Sequence, residues 1–237
     1  ICLFSFYKQL TPTSGIVSSR KLPIYCVNTE SPKVAISFDA AWGNEQTETL
    51  LSILEKYHVK TTFFMTGGWV ESYPDDVKAI AAAGHDLGNH SENHKQMSTL
   101  SADECKQEIQ KVHDKVKELT GQDMILFRPP YGDYNDTLID AANSLGYHVI
   151  QWDIDSLDWK DYGADNIVSR VLDNDHLGNG SIILMHNGAK YTPDALERVI
   201  TGLQEKGYEI VPISQLIYKE NYEMDHEGRQ FIKGNAK

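Results

Sequence analysis

"KVAISFDAAWGNE" (33–45) carries an apolar run, Val34-Ala35-Ile36, almost directly into an aspartate, Asp39, and then into two alanines, Trp42 and Gly43. Strand formers without polar alternation suit a β-strand covered on both faces. The loop that follows has two readings. Asp39 is either an ordinary turn aspartate bonded to nearby backbone or a carboxylate displayed at a strand terminus for chemistry. Taken alone, the turn is the simpler reading, so the other strands have to arbitrate.

Six further short apolar runs follow: "KTTFFM" (60–65), "HDLGNH" (85–90), "MILFRP" (124–129), "YHVIQWD" (147–153), "SIILMH" (181–186) and "YEIVPI" (208–213). Helical patterns lie between them. In "SADECKQEIQKVHDKVKELTG" (101–121), Cys105, Ile109, Val112, Val116 and Leu119 recur at spacings of three and four. Ser101 and Glu104 make a capping box there, and Gly121 closes the helix. In "YTPDALERVITGLQEKG" (191–207), Thr192 is expected as the cap, Pro193 in the first turn, and Leu196, Val199, Ile200 and Leu203 inward. "EQTETLLSILEKYH" and "NDTLIDAANSLG" follow the same pattern. Strand then helix, seven times over, predicts an α/β fold with a parallel sheet, closed or nearly closed as a distorted (β/α)7 barrel.

The chain divides into an N-terminal arm over 1–30, a single domain over 31–218 and a polar tail over 219–237. "ICLFSF" at the start, followed by Lys8, Arg20 and Lys21, fits either the remnant of an export signal or anchor, or an arm packed on the domain. No run approaches the ~18 apolar residues of a membrane span. With 22 basic against 34 acidic residues the net charge is −12, which excludes nucleic acid as a partner, because phosphate binding needs clustered Lys and Arg. Cys2, Cys26 and Cys105 show no CxxC spacing, so neither a zinc-thiolate site nor a dense disulfide framework is expected. Cys105 falls on an apolar helix face; a Cys2–Cys26 bridge stays open.

In a parallel barrel, chemistry gathers at the C-terminal strand ends. Here the first strand ends in Asp39 and the third in His90, with His94 four residues on in "HSENH". The fourth ends in Arg128 and "PPYG", the fifth in "WDIDSLDW" (152–159), and the sixth in His186. Five of seven ends thus carry groups able to do chemistry, and that convergence overturns the turn reading of Asp39. Histidines at i and i+4 across a helical turn suit two imidazoles on one metal, and an adjacent aspartate makes a set that activates water. Arg128 would hold a carboxylate ionised, while the Tyr131 backbone N–H would face an oxyanion. His186, facing Asp158 or Asp155, would be a general acid with a raised pKa. Trp42, in the loop after Asp39, places an aromatic ring at the same rim.

"SFDAAWG", "HSENH", "RPPYG", "DSLDW" and "LMH", in that order, resemble the five motifs of the carbohydrate esterase family 4 polysaccharide deacetylases, the NodB homology domain. The resemblance covers about 33–217. Around the first motif it is nearest to the sporulation-associated branch of Gram-positive bacteria. It implies metal-dependent removal of N-acetyl groups from N-acetylglucosamine polymers such as peptidoglycan or chitin, or of O-acetyl groups from xylan. It assigns Asp39 as base, His90 and His94 as metal ligands, Arg128 as the residue orienting the base and Tyr131 as oxyanion donor. Asp158 becomes the partner of His186, the acid, while Trp159, Leu184 and Pro129 join Trp42 at the substrate. The implied cofactor is a divalent ion, zinc first, cobalt or nickel next. The implied setting is a monomer outside the cytoplasmic membrane, secreted or bound to the cell envelope. One position departs from the family. Ala40 stands where the resemblance expects an aspartate as third metal ligand, leaving water, Asp39, or Asn44 or Glu45 as substitutes. A feeble deacetylase fold that mainly binds glycan is the competing expectation.

Overall fold

The computed structural model describes residues 20–234; Cys2 and any bridge from it to Cys26 lie outside them. The chain begins with β1 (Cys26–Val27), β2 (Lys33–Ala40), α1 (Thr47–Lys56), β3 (Thr62–Met65), α2 (Gly67–Ser72), α3 (Pro74–Ala82) and β4 (Asp86–Asn89). It continues through α4 (Ala102–Thr120), β5 (Leu126–Phe127), α5 (Asp136–Ser144), β6 (His148–Val149), β7 (Ile154–Asp155) and α6 (Ala164–Leu172). The last elements are β8 (Ile182–His186), α7 (Thr192–Glu205), β9 (Glu209–Ile210), α8 (Ile213–Leu216), β10 (Tyr222–Met224) and β11 (Arg229–Ile232).

Seven parallel strands run in the order β6-β5-β4-β3-β2-β8-β7, with β9 paired to the start of β2. The alternation of β2 builds two cores. Val34, Ile36 and Phe38 pack outward under the helices, while Ala35 points inward with Phe64, Leu126 and Ile182. Asp39 shares the inward phase, so it emerges at the mouth.

The expected fifth strand is split in two. β6 ends at Val149, and the chain then crosses to β7, which pairs with β8 on the opposite edge of the sheet. Those two edges are not laddered to each other. Ile24 fills the gap: its N–H donates to the Val149 carbonyl at 2.8 Å and its carbonyl accepts from Gln151 at 2.7 Å. Val27 then donates to Gly180 at 3.0 Å. Part of the expected N-terminal arm is therefore a stave of the barrel. The expected polar tail is also structured, since β10 and β11 form a hairpin whose second strand runs beside β1. Gln230 anchors it, wholly buried and bonded in both directions to the backbone of Tyr218. One buried amide does what an apolar stripe usually does, which is why the tail reads as polar.

α4 matches its sequence pattern. The capping box between Ser101 and Glu104 is formed, Gly121 closes the helix at φ 73°, and Cys105, Ile109, Val112 and Val116 are fully buried. Thr192 departs from expectation. It opens α7 but does not cap it; its hydroxyl is used elsewhere.

Candidate active site

Four strand ends and two loops enclose a cavity of about 410 Å³. Its wall includes Asp39, His90, His94, Tyr131, Trp159, Leu184 and His186, together with Trp42, Trp152 and Asp155. Residues from "SFDAAWG" to "LMH" therefore meet in one place.

Asp39 and His186 stand in register on adjacent strands. Arg128, fully buried, donates from Nη1 to Asp39 Oδ1 at 2.7 Å and from Nη2 to the Gln151 carbonyl at 3.1 Å. Its guanidinium lies 4.1 Å above the Phe64 ring. Burial pushes the Asp39 carboxyl up, but Arg128, then His90 and His186, outweigh it and hold the carboxyl below the usual carboxylate range. A buried carboxylate that favours its ionised form results.

The other pair is built around Asp158. Its Oδ1 accepts from His186 Nδ1 at 2.7 Å, and its Oδ2 accepts from the His186 backbone N–H at 2.7 Å and from the Thr192 hydroxyl at 2.6 Å. Three donors fix this carboxylate, and it fixes the imidazole with Nε2 free. Burial pulls the His186 pKa down; Asp158 more than reverses this, and the net shift is upward. Asp158, rather than Asp155, is thus the partner.

His90 and His94 do not sit on a helical turn. Ser91 and His94 adopt left-handed φ of 65° and 51°, and the loop bends the two rings together, Nε2 to Nε2 at 3.2 Å. His90 Nδ1 donates to the Arg128 carbonyl at 2.7 Å, which leaves the lone pair on Nε2. Burial lowers the His90 pKa to about 4 and also lowers that of His94, so both rings are neutral. The 3.5 Å approach of His90 to Asp39 Oδ2 is therefore not an ion pair.

Two neutral imidazole nitrogens at this spacing fit a divalent ion, for which two tetrahedral nitrogen ligands lie about 3.3 Å apart. The third ligand is where the fit runs short. Ala40 is fully buried in the helix-side core and is not part of the cavity wall. Asn44 donates to Asp76 at 2.7 Å, and Glu45 is likewise absent from the wall. Among the described residues no three His, Cys, Asp or Glu side chains form a ligand cluster. Asp39 therefore does not complete a three-ligand set with the two histidines, and of the expected substitutes water remains.

Tyr131 takes a left-handed φ of 59° after two prolines, with its ring 4.5 Å from that of His94. Such strain in a residue with a side chain is tolerated where the surroundings impose it. Pro129, expected at the substrate, is buried and off the wall; it shapes the turn instead. Sequence reasoning missed Thr192, Gln151, Phe64 and Trp152, because hydroxyl, carbonyl and ring contacts across the fold leave no spacing signal.

A polysaccharide deacetylase model matches residues 27–150. The chain belongs to the polysaccharide deacetylase family. It is 36% identical over 211 residues to the uncharacterized protein YlxY of Bacillus subtilis, covering 89% of this chain and 65% of that one. It is 31% identical to the peptidoglycan-N-acetylmuramic acid deacetylase PdaA of the same organism, covering 83% and 75%. The structure of BA3943 from Bacillus anthracis, described as a family 4 pseudoenzyme, superposes with a TM-score of 0.79 at 36% identity, covering 83% and 69%. A mutant of that protein is described as having restored enzymatic activity. This chain spans 65% of the length of YlxY and between 43% and 76% of several other curated relatives.

Proposed function

We propose that this chain hydrolyses N-acetyl groups on an N-acetylglucosamine-containing cell-wall polymer, with Asp39 as base and His186 as acid. One observation carries the reading: two separately built pairs, the Arg128–Asp39 ion pair and the hydrogen-bonded Asp158–His186 pair, face one cavity from adjacent strands. A binding module has no use for an ionised base opposite a protonatable imidazole.

Asp39, kept ionised, takes the proton of the attacking water. His186 gives its Nε2 proton to the departing nitrogen, which otherwise would leave as a strongly basic amide anion. The Tyr131 N–H and the strained turn that fixes it face the oxygen on which charge develops. Trp159 and Leu184 enclose the acetyl methyl, and Trp42, whose ring lies 5.2 Å from that of His186, stacks on the sugar. His90 and His94 are the residues that would hold a divalent ion; such an ion supplies Lewis acidity toward the carbonyl and acidifies water. With two imidazoles and no third anionic side chain, binding is expected to be weaker than in a three-ligand site, with zinc first and cobalt or nickel as alternatives, nickel standing high in the affinity order. The working place is the cell envelope. No helix among the described residues is long and apolar enough to cross a membrane.

A glycan-binding protein of low activity is the second reading, favoured by Ala40 and by the pseudoenzyme relative. Acetate release from chitooligosaccharides, peptidoglycan and acetyl-xylan by stripped protein, with zinc, cobalt or nickel restored, separates the two. The proposal expects metal-dependent acetate from the first two polymers. Glycan binding with no acetate under any metal overturns it.

A further inference from the structure

Asp155 takes no part in the chemistry above, yet it lines the same cavity. It ends β7, in register with Leu184 of β8, two residues before His186. Its Oδ1 accepts the Leu157 N–H at 2.9 Å, and Leu157 adopts a left-handed φ of 49° to deliver that bond. Oδ2 has no protein partner among the described residues. The nearby cations are committed elsewhere: Arg128 to Asp39 and the Gln151 carbonyl, His186 Nδ1 to Asp158. A turn has been shaped to hold one carboxylate oxygen still and leave the other toward the cavity.

The rest of the wall defines what that oxygen meets. Trp42, Tyr131, Trp152, Trp159 and Leu184 supply apolar surface, Asp39 is a second carboxylate, and no Lys or Arg belongs to the wall. Lys160 sits outside it, with its ammonium over the Trp159 ring. A sugar hydroxyl can donate to Oδ2. A sugar whose hydroxyl is replaced by an ether bearing its own carboxylate loses that donor and brings a like charge beside two others. Burial raises the Asp155 pKa, while the Leu157 N–H and His186 oppose that rise.

We propose that Asp155 is a specificity residue: its free oxygen accepts a hydroxyl of the reacting sugar and rejects the lactyl ether, so that the site takes N-acetylglucosamine in preference to N-acetylmuramic acid. The proposal rests on the deacetylase reading of the cavity and names its substrate. The preference is opposite to the one that PdaA's name states for that relative.

Asp155→Asn keeps the acceptor for Leu157 and removes the charge. Peptidoglycan treated with metal-loaded wild type or variant is digested to disaccharides, and mass spectrometry of each sugar reads which one lost its acetyl. The wild type is expected to deacetylate glucosamine residues, and the variant to raise the muramic-to-glucosamine ratio by about tenfold, the effect of removing one like charge from a partly buried site. KM for chitooligosaccharides should rise more than kcat falls. A ratio unchanged within twofold, or a wild type that prefers muramic acid, overturns the inference. Calorimetry with chitotetraose and an N-acetylmuramyl oligosaccharide reads the same preference without turnover. A protein that discriminates in binding but releases no acetate would therefore refute the proposed function and support the role of Asp155.

Discussion

Asp158 holds His186 at both ring and backbone, and Thr192 completes its shell from the first residue of α7. Thr192→Val should remove one donor from the carboxylate, concentrate its charge on the His186 imidazole and raise the His186 pKa further. The alkaline limb of the rate profile, where the acid loses its proton, is then expected to move up in pH, while kcat falls several-fold as the imidazole loosens. A pH profile of kcat/KM checks this, and an unmoved limb would remove Thr192 from the positioning shell. His85 offers a second residue-scale test. Burial first, then Lys60, lowers its pKa to about 4, and its Nδ1 accepts the Thr61 N–H at 3.1 Å. The unfolded chain protonates this histidine near its ordinary value while the fold resists. Its stability contribution is thus full above about pH 6.5 and is lost as pH falls toward 4, on the order of 3 kcal/mol. Urea titrations of wild type and His85→Gln across that window should diverge accordingly.

Between β3 and β4 the sheet transmits packing to Asp39. Gly88 pairs with Phe64, and a Cβ at Gly88 would stand 2.5 Å from the Phe64 ring. That ring supports the Arg128 guanidinium, which in turn holds Asp39. Gly88→Ala is expected to cost about 1–3 kcal/mol through overpacking and to lower acetate release beyond what the lost folded fraction explains. Thermal melts beside rates normalised to folded protein decide it. This glycine also marks how far sequence can be read. The apolar runs, the capping box of α4 and the polar strand ends were legible because each has a period or spacing. The Gly88–Phe64–Arg128 stack was not, since β4, β3 and the residue after β5 contribute one apiece. The helical turn expected for His90 and His94 was misjudged for a related reason: the i, i+4 spacing is shared by any loop tight enough to fold back, and left-handed Ser91 and His94 provide one.

As a whole, the described residues form a parallel barrel in which the gap between β6 and β7 is filled by a segment that precedes it in the chain, and that segment touches the site. Ile24 accepts from Gln151, whose carbonyl holds Arg128. Ile24→Ala should cost about 2–5 kcal/mol, and the loss should appear in catalysis as well as in Tm. The seven-strand barrel was foreseeable from the alternation of strands and helices; the stave and the C-terminal hairpin were not, because both depend on short polar segments pairing with each other far from their sequence neighbours. What the barrel achieves is the meeting of the Arg128–Asp39 and Asp158–His186 pairs over one cavity. The most direct test is acetate release from chitooligosaccharides by metal-loaded Asp39→Asn and His186→Ala, each measured beside its glycan affinity. Loss of rate by about 10²–10⁴-fold in each, with affinity retained, is the predicted result; either variant hydrolysing within a few-fold of wild type would contradict it.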